Sequence, residues 1–159
     1  MVRKLLPIAM ALCALPAVGQ YDGPRPPKAD VPYLLQADNL IATEVTEAKE
    51  EDRKEGQVFV IPGAASPVKT PMAEPIFLFQ SDKLAAGSLQ LFRLEVNGGN
   101  REVNFGGGKK RKGAARPLRL DVKQLSTNIY RIEAYETLDP GEYSLSPSDS
   151  NTAFCFAVY

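Results

Sequence analysis

The stretch LQLFRLEVNGGNREVNF, residues 89–105, decides the fold class. Apolar and charged side chains alternate strictly over residues 92–96, which is the period-two pattern of a strand with one face in a core. The four residues Asn-Gly-Gly-Asn at 97–100 then supply the positive φ angles that a tight hairpin turn requires. The stretch therefore predicts a β-hairpin.

Runs of the same kind recur through residues 33–159. They are rich in Val, Ile, Leu, Phe and Tyr and are separated by Gly, Pro, Asn and Asp, which is typical of an antiparallel β-sandwich. We expect an all-β domain of about seven to ten short strands. The candidate strands are residues 33–36, 40–46, 57–61, 76–80, 89–96, 101–105, 117–122, 128–136, 142–145 and 153–158.

Some of these runs indicate where a strand lies in its sheet. Residues 58–61, 76–79 and 154–158 are apolar on both faces, as expected of central strands covered on each side. Cys155 lies in the last of them, and we expect it to be a buried small hydrophobe. Residues 44–55 are densely charged, which favours a charged loop or an exposed strand end over a short helix.

The N-terminus has the pattern of a cleavable signal peptide over residues 1–19. Arg3 and Lys4 precede an apolar stretch that is too short to span a bilayer comfortably, and small residues precede an expected cleavage between Gly19 and Gln20. A buried N-terminal helix and a retained anchor are the alternatives. A lipoprotein is disfavoured because Cys13 lies inside the apolar stretch. We expect a secreted or periplasmic protein that does not span a membrane after cleavage.

Cleavage would leave one domain behind a short leader. Removing 19 of the 159 residues leaves 140, enough for a single hydrophobic core. Residues 20–32 are rich in Pro and predict an extended, flexible leader, so the β-sandwich domain should occupy residues 33–159.

Charge and cysteine content restrict the partners and the redox chemistry. The 19 basic residues fall to 17 after cleavage while the 19 acidic ones remain, so no global field recruits nucleic acid. Cys13 would leave with the signal peptide. Cys155 would then be the lone cysteine, and the fold would depend on its packed core rather than on an intramolecular disulfide.

The sequence contains no histidine, which argues against most enzymes. The usual general base and the commonest transition-metal ligand are missing, and no nucleophile has a recognisable partner. We therefore expect no catalytic residues, no metal and no cofactor. The acidic residues of the 47–55 stretch could form a calcium site, but interleaved Lys and Arg favour a solvated surface.

The most distinctive candidate site is a glycine-rich, basic segment. A pliant backbone beside four adjacent cations could bind a phosphate, a sulfate or an acidic glycan, although the segment lacks Walker spacing and could simply be a solubilising loop. Its residues are Gly106, Gly107, Gly108, Lys109, Lys110, Arg111 and Lys112.

The eight residues LDPGEYSL at 138–145 form a predicted turn entering a strand. Pro140 and Gly141 set the corner, and Tyr143 begins the alternation. This stretch resembles the turn and strand near the ends of secreted immunoglobulin-like and transthyretin-like β-sandwich modules, in which the tyrosine packs or hydrogen-bonds at the corner. The resemblance implies an immunoglobulin-like architecture, and it carries no function.

These observations together favour an exported, non-enzymatic binding domain of the cell envelope or exterior. Its partner would be an unknown protein or an acidic glycan, bound through loops or an edge strand. One alternative is a carboxylate-based carbohydrate-active enzyme or a calcium-dependent module. Another is a structural subunit of a surface assembly.

Overall fold

The computed structural model describes residues 21–107 and 114–159, and it is all-β. These two ranges hold thirteen strands, one 3₁₀ turn at Ala86–Ser88 and no α-helix. The strands are β1 (Pro32–Gln36), β2 (Asn39–Ala42), β3 (Glu44–Glu47), β4 (Lys49–Arg53), β5 (Gly56–Pro62), β6 (Lys69–Thr70), β7 (Ile76–Gln80), β8 (Leu89–Asn97), β9 (Asn100–Gly106), β10 (Leu120–Ser126), β11 (Ile129–Ala134), β12 (Gly141–Pro147) and β13 (Thr152–Val158).

The strands form two antiparallel sheets that pack face to face, which confirms the predicted β-sandwich. The five-stranded sheet has the order β10-β11-β7-β1-β2. The eight-stranded sheet has the order β3-β13-β12-β8-β9-β5-β4, and the short β6 pairs in parallel with the second half of β13. The apolar runs at β5, β7 and β13 are flanked by strands on both sides, as their sequences predict.

The main core lies between the two sheets. Alternate residues of each strand point into it, so Leu34 and Phe77 of the five-stranded sheet face Leu145 and Phe156 of the eight-stranded one. The rings of Phe77 and Phe156 meet with their centroids 4.9 Å apart. All four side chains are fully buried, and burying each stabilises the fold by about 1.5–3 kcal/mol.

The eight-stranded sheet closes on itself through a single chain segment. At one end of the strand order, β3 pairs with β13; at the other, β4 pairs with β5. Only Ala48 separates β3 from β4, and its amide donates to the carbonyl of Asn151 (2.8 Å). One continuous segment is therefore both the first and the last strand, and it forms a ring with β13, β12, β8, β9 and β5.

At one end of the ring β8 and β9 are hydrogen-bonded to each other, and at the other, which we call the parted end, they separate. The predicted hairpin turn is present, with φ of 57° at Gly98 and 80° at Gly99. However, β8 and β9 pair only next to this turn, as far as Glu95 opposite Glu102. Farther on, residues 115–118 bridge the two strands, with the Ala115 amide donating to Asn104 and the Leu118 amide to Leu91.

A second core fills part of the ring, whereas a single core was expected from the length of the chain. The side chains that β8, β9, β5 and β13 direct away from the main core meet inside the ring. This ring core consists of Ala48, Ile61, Phe92, Leu94, Val103, Ala153 and Cys155, with Phe59, Phe105 and Ala115 packed against it. The strands of the ring are therefore apolar on both faces where the two cores overlap.

Two of the predicted strand boundaries are wrong. The run 40–46 divides at Thr43, where the chain leaves the five-stranded sheet for the ring; the Thr43 hydroxyl and amide both donate to the Pro32 carbonyl. The run 117–122 starts later, at Leu120, because residues 115–118 are bonded to β8 and β9 instead. The charged stretch 44–55 is strand, the extended one of its two expected forms.

The part of the leader that the structure describes lies against the domain. Pro26 is buried, the Asp30 amide donates to the Gln80 carbonyl (2.8 Å), and the Ser81 hydroxyl donates to Asp30 Oδ1 (2.6 Å). The predicted signal peptide and its cleavage point at Gly19 fall outside the described residues. Within residues 21–107 and 114–159, no helix is long and apolar enough to cross a membrane.

Closure of the ring makes Ala48 sensitive to loss of its amide. We expect Ala48→Pro to lower the free energy of unfolding by about 1–3 kcal/mol, because it leaves the Asn151 carbonyl without its donor. Ala85→Pro is the control: Ala85 is exposed and already has a φ of −70°, so the change should be within about 0.5 kcal/mol. Urea unfolding would measure both, and equal losses would contradict the assigned closure.

Candidate functional site

A pocket of about 450 Å³ opens at the parted end of the ring. Its volume lies within the range that is usual for small-molecule sites in proteins. Its residues come from β4, β5, β8, β9, β12, β13 and the turn between β12 and β13. They are Ala48, Glu50, Gln57, Phe59, Ile61, Gln90, Phe92, Val103, Phe105, Ser144, Ser146, Pro147, Ser148, Asp149, Ser150, Asn151, Thr152 and Ala153.

Three phenylalanine rings form one wall of this pocket, and we call them the aromatic floor: Phe59, Phe92 and Phe105. Phe105 meets both partners edge to face, with centroids 5.1 Å from Phe59 and 5.0 Å from Phe92. Such contacts stabilise each pair by about 0.5–1.5 kcal/mol beyond burial alone, so the floor is rigid. Strand alternation puts the rings on one side, because each occupies an inward position of its strand.

Beside the floor lies a row of hydroxyl-bearing residues at every second position, which we call the hydroxyl row: Ser144, Ser146, Ser148, Ser150 and Thr152. Ser144 and Ser146 point inward from β12 because they lie opposite Phe92 and Gln90 of β8. The turn continues the row, with the Ser150 hydroxyl donating to Thr152 Oγ1 (3.0 Å). The pocket lining thus combines an aromatic surface with an adjacent hydrogen-bonding surface, the polar wall.

Two carboxylates stand at the mouth, and both are exposed. Glu50 accepts a hydrogen bond from Gln57 Nε2 (3.1 Å), and Asp149 lies in the turn between β12 and β13. No Lys or Arg is among the described residues that line the pocket. The described lining therefore carries two carboxylates and no cation.

The opposite end of the ring interior is occupied by Arg101. Its guanidinium reaches across the ring to Glu44 and holds both carboxylate oxygens, at 2.7 and 2.9 Å. It also donates to the carbonyls of Pro62 (3.0 Å) and Gly63 (2.9 Å), and it lies 3.8 Å from Glu142. The ion pair therefore occupies a part of the ring interior that does not line the pocket.

Burial and pairing shift the pKa values of this end of the ring. Burial acts to raise the pKa of Glu44, but hydrogen bonds from Arg101 hold it below its ordinary value. The same bonds raise the pKa of Arg101. Burial raises the pKa of the Cys155 thiol to about 12. Cys155 is thus a buried thiol at neutral pH, as its apolar neighbours predict.

The predicted sites fall in different places. Gly106 ends β9 and Gly107 follows it beside the mouth, whereas Gly108, Lys109, Lys110, Arg111 and Lys112 lie outside the described residues. Anion binding by this segment stays a prediction. The acidic residues of the 47–55 stretch are spread along β3, β4 and the turn that follows. Within the described ranges no group of three His, Cys, Asp or Glu could hold a metal ion.

The corner at Pro140 and Gly141 leads directly into β12. The hydroxyl of Tyr143 donates to the Asp139 carbonyl (2.7 Å), and its ring stacks on Phe156 with centroids 5.6 Å apart. Tyr143 therefore both packs and hydrogen-bonds at the corner. It anchors the start of the strand that carries the hydroxyl row.

Sequence reasoning missed the pocket itself. Phenylalanines at inward positions have the pattern of ordinary core residues, whether or not a neighbour fills the space in front of them. The available signal was the run SLSPSDSNT at 144–152, in which a hydroxyl recurs at every second residue through a turn.

Protein-family models, curated proteins and solved structures yield no match to this chain. The immunoglobulin-like resemblance of residues 138–145 stays a prediction. The function must therefore be argued from the pocket.

Arg101 should be far more important for stability than an exposed arginine with the same pairing. We expect Arg101→Leu to lower the free energy of unfolding by about 3–5 kcal/mol, because Glu44 is left without its partner. Arg53 also holds both oxygens of a glutamate, Glu102, but its side chain is 32% exposed against 1% for Arg101. Arg53→Leu should therefore cost much less in urea unfolding.

The lowered pKa of Glu44 predicts acid sensitivity. Because the folded-state pKa lies below the ordinary 4.5, its contribution to stability is present above 4.5 and is lost as the pH falls through the folded value. Glu44→Gln should flatten the pH dependence of the unfolding free energy in that window, by less than one proton. Glu47→Gln, an exposed neighbour on β3, is the control. An unchanged slope in Glu44→Gln would contradict the assignment.

Proposed function

We propose that this chain is an exported, non-enzymatic binding domain that holds a small amphipathic ligand, or the end of a larger one, in the pocket of the ring. The single observation that carries the proposal is the pocket: about 450 Å³ lined by an aromatic floor and a hydroxyl row. Concave sites with an apolar lining and a few convergent polar groups are the usual form of ligand sites.

Packing supports this proposal. Protein interiors are filled to the density of organic crystals, and a space this large is unusual among a chain's own side chains. Phe59 and Phe105 are only half-buried although they are large and apolar. A ligand that covers them would gain about 25 cal/mol for each Å² of apolar surface removed from water. The pocket is therefore suited to binding.

Export is supported by the sequence alone. The short basic start, the apolar stretch and the small residues before Gln20 have the order of a signal peptide. Without histidine, and with a buried, protonated Cys155, the pocket lacks the common nucleophile and base pairs. Binding is thus the function that the available groups support best.

An enzyme is the second candidate, because Glu50 and Asp149 both line the pocket. Glycoside hydrolysis uses two carboxylates on opposite sides of the scissile bond, one as acid and one as base or nucleophile. Both side chains here are exposed, whereas a general acid needs an environment that raises its pKa. The binding role is therefore placed first.

A neutral hydrophobic dye tests the proposal directly. N-phenyl-1-naphthylamine should bind one molecule per chain, with a saturable rise in fluorescence. Ser146→Phe places a ring in the pocket from β12 and should weaken binding at least tenfold. Thr127→Phe adds the same ring at an exposed turn of the five-stranded sheet, and should leave binding unchanged. Absence of binding, or equal weakening in both variants, would overturn the proposal.

A further inference from the structure

We infer that the ligand of this pocket is an uncharged saccharide. This inference rests on the proposed binding function and specifies the class of ligand. A pyranose ring has one or two faces of C–H groups and a periphery of hydroxyls. It would lie with a C–H face on the aromatic floor and its hydroxyls toward the hydroxyl row. The argument rests on the polar wall, the charge and the size of the pocket.

The polar wall has spare hydrogen-bonding capacity. Each hydroxyl is a donor and an acceptor, and a side-chain amide offers two donors and an acceptor. The Oγ atoms of Ser144 and Ser146 are 3.4 Å apart, longer than the 2.7–2.8 Å usual for O–H···O bonds, so both can exchange this contact for a better one. Gln90 and Asn151 add amides to the same wall.

That wall disfavours a purely aliphatic ligand. Such a ligand would cover the hydroxyls of Ser146, Ser148 and Ser150 without replacing their hydrogen bonds to water, and unpaired buried hydroxyls reduce affinity. Sites built to bond hydroxyl groups reject analogues that lack them by large factors. The ligand should therefore carry hydroxyls where these serines lie.

The charge of the lining disfavours an anion. Glu50 and Asp149 stand at the mouth, and no Lys or Arg is among the described lining residues. A phosphate, sulfate or uronate in the pocket would lose its hydration without gaining a cation. A neutral hydroxyl can donate to these carboxylates, and hydrogen bonds to a charged acceptor are stronger than neutral ones. The described lining thus favours a neutral saccharide, whereas an acidic glycan is the ligand expected for the basic segment.

The size of the pocket fits a short oligosaccharide end. A cavity of roughly 150 Å³ holds one benzene molecule, so 450 Å³ accommodates about two sugar rings with their hydroxyls. The opening at the parted end of the ring leaves room for the rest of a longer chain. A terminal disaccharide is therefore the unit to test.

The test titrates the full mature chain with four neutral disaccharides, namely cellobiose, maltose, lactose and N,N′-diacetylchitobiose. Saturation-transfer NMR detects contact, and displacement of N-phenyl-1-naphthylamine locates it. We expect at least one disaccharide to bind and displace the dye. Methyl β-glucuronide should bind at least tenfold more weakly than methyl β-glucoside, from which it differs by one carboxylate.

Variants of the hydroxyl row test the class of ligand separately from the ability of the pocket to bind. Ser144→Ala combined with Ser146→Ala should weaken disaccharide binding at least tenfold and leave dye binding within twofold, because the aromatic floor is intact. Ser126→Ala, a hydroxyl on β10 of the other sheet, is the control. Thermal unfolding checks that each variant is folded.

Each outcome decides one of the two proposals. Dye binding without any disaccharide binding overturns the saccharide inference and leaves an apolar ligand, such as a side chain of a partner protein. Preference for the glucuronide overturns it as well. Failure of both dye and disaccharides overturns the proposed function itself. Release of monosaccharides that stops in Glu50→Gln or Asp149→Asn would confirm the saccharide but replace binding with catalysis.

Discussion

The double pairing of the segment from Glu44 to Arg53 is the constraint on which the rest of the structure depends. A strand offers hydrogen-bonding groups along two edges, and here the first half uses them for β13 and the second half for β5. Because one strand serves both ends of the sheet, the sheet has no two separate terminal strands. The interior, the pocket and the ion pair all exist because the sheet closes.

Closure also changes which residues can be buried. In an open sheet, Arg101 would face solvent, as charged residues of an alternating strand usually do. In the ring it faces Glu44 from the opposite wall and is fully buried. Two carbonyls complete its hydrogen bonds, so the cost of removing its charge from water is offset by paired partners. The ion pair occupies the end of the ring that the hairpin turn also closes.

Local pattern predicted most of the strands, and it failed where pairing is long-range. Alternation in 92–96 and the Asn-Gly-Gly-Asn turn predicted the hairpin, because both signals are contained within one stretch. The division at Thr43 could not be predicted, since a strand keeps its period when it passes from one sheet to another. The pocket was missed for the same reason. At inward positions such as Phe59, the sequence pattern is the same whether a neighbouring side chain fills the space in front of the residue or the space is open to a ligand.

The two strands that close the ring, β3 and β13, lie far apart in the sequence, and this affects how the protein folds during synthesis. In the pairing of β3 with β13 that closes the ring, Cys155 lies opposite Glu44, 111 positions earlier in the chain. Contacts at such separation make folding slow, because the chain between them must be ordered first. Until β13 is available, the phenylalanines of the floor lack their enclosure and can associate with other apolar surfaces. A chain that emerges in order from a ribosome or a translocation channel must therefore remain unclosed until β13 has emerged, and it stays in need of protection until then.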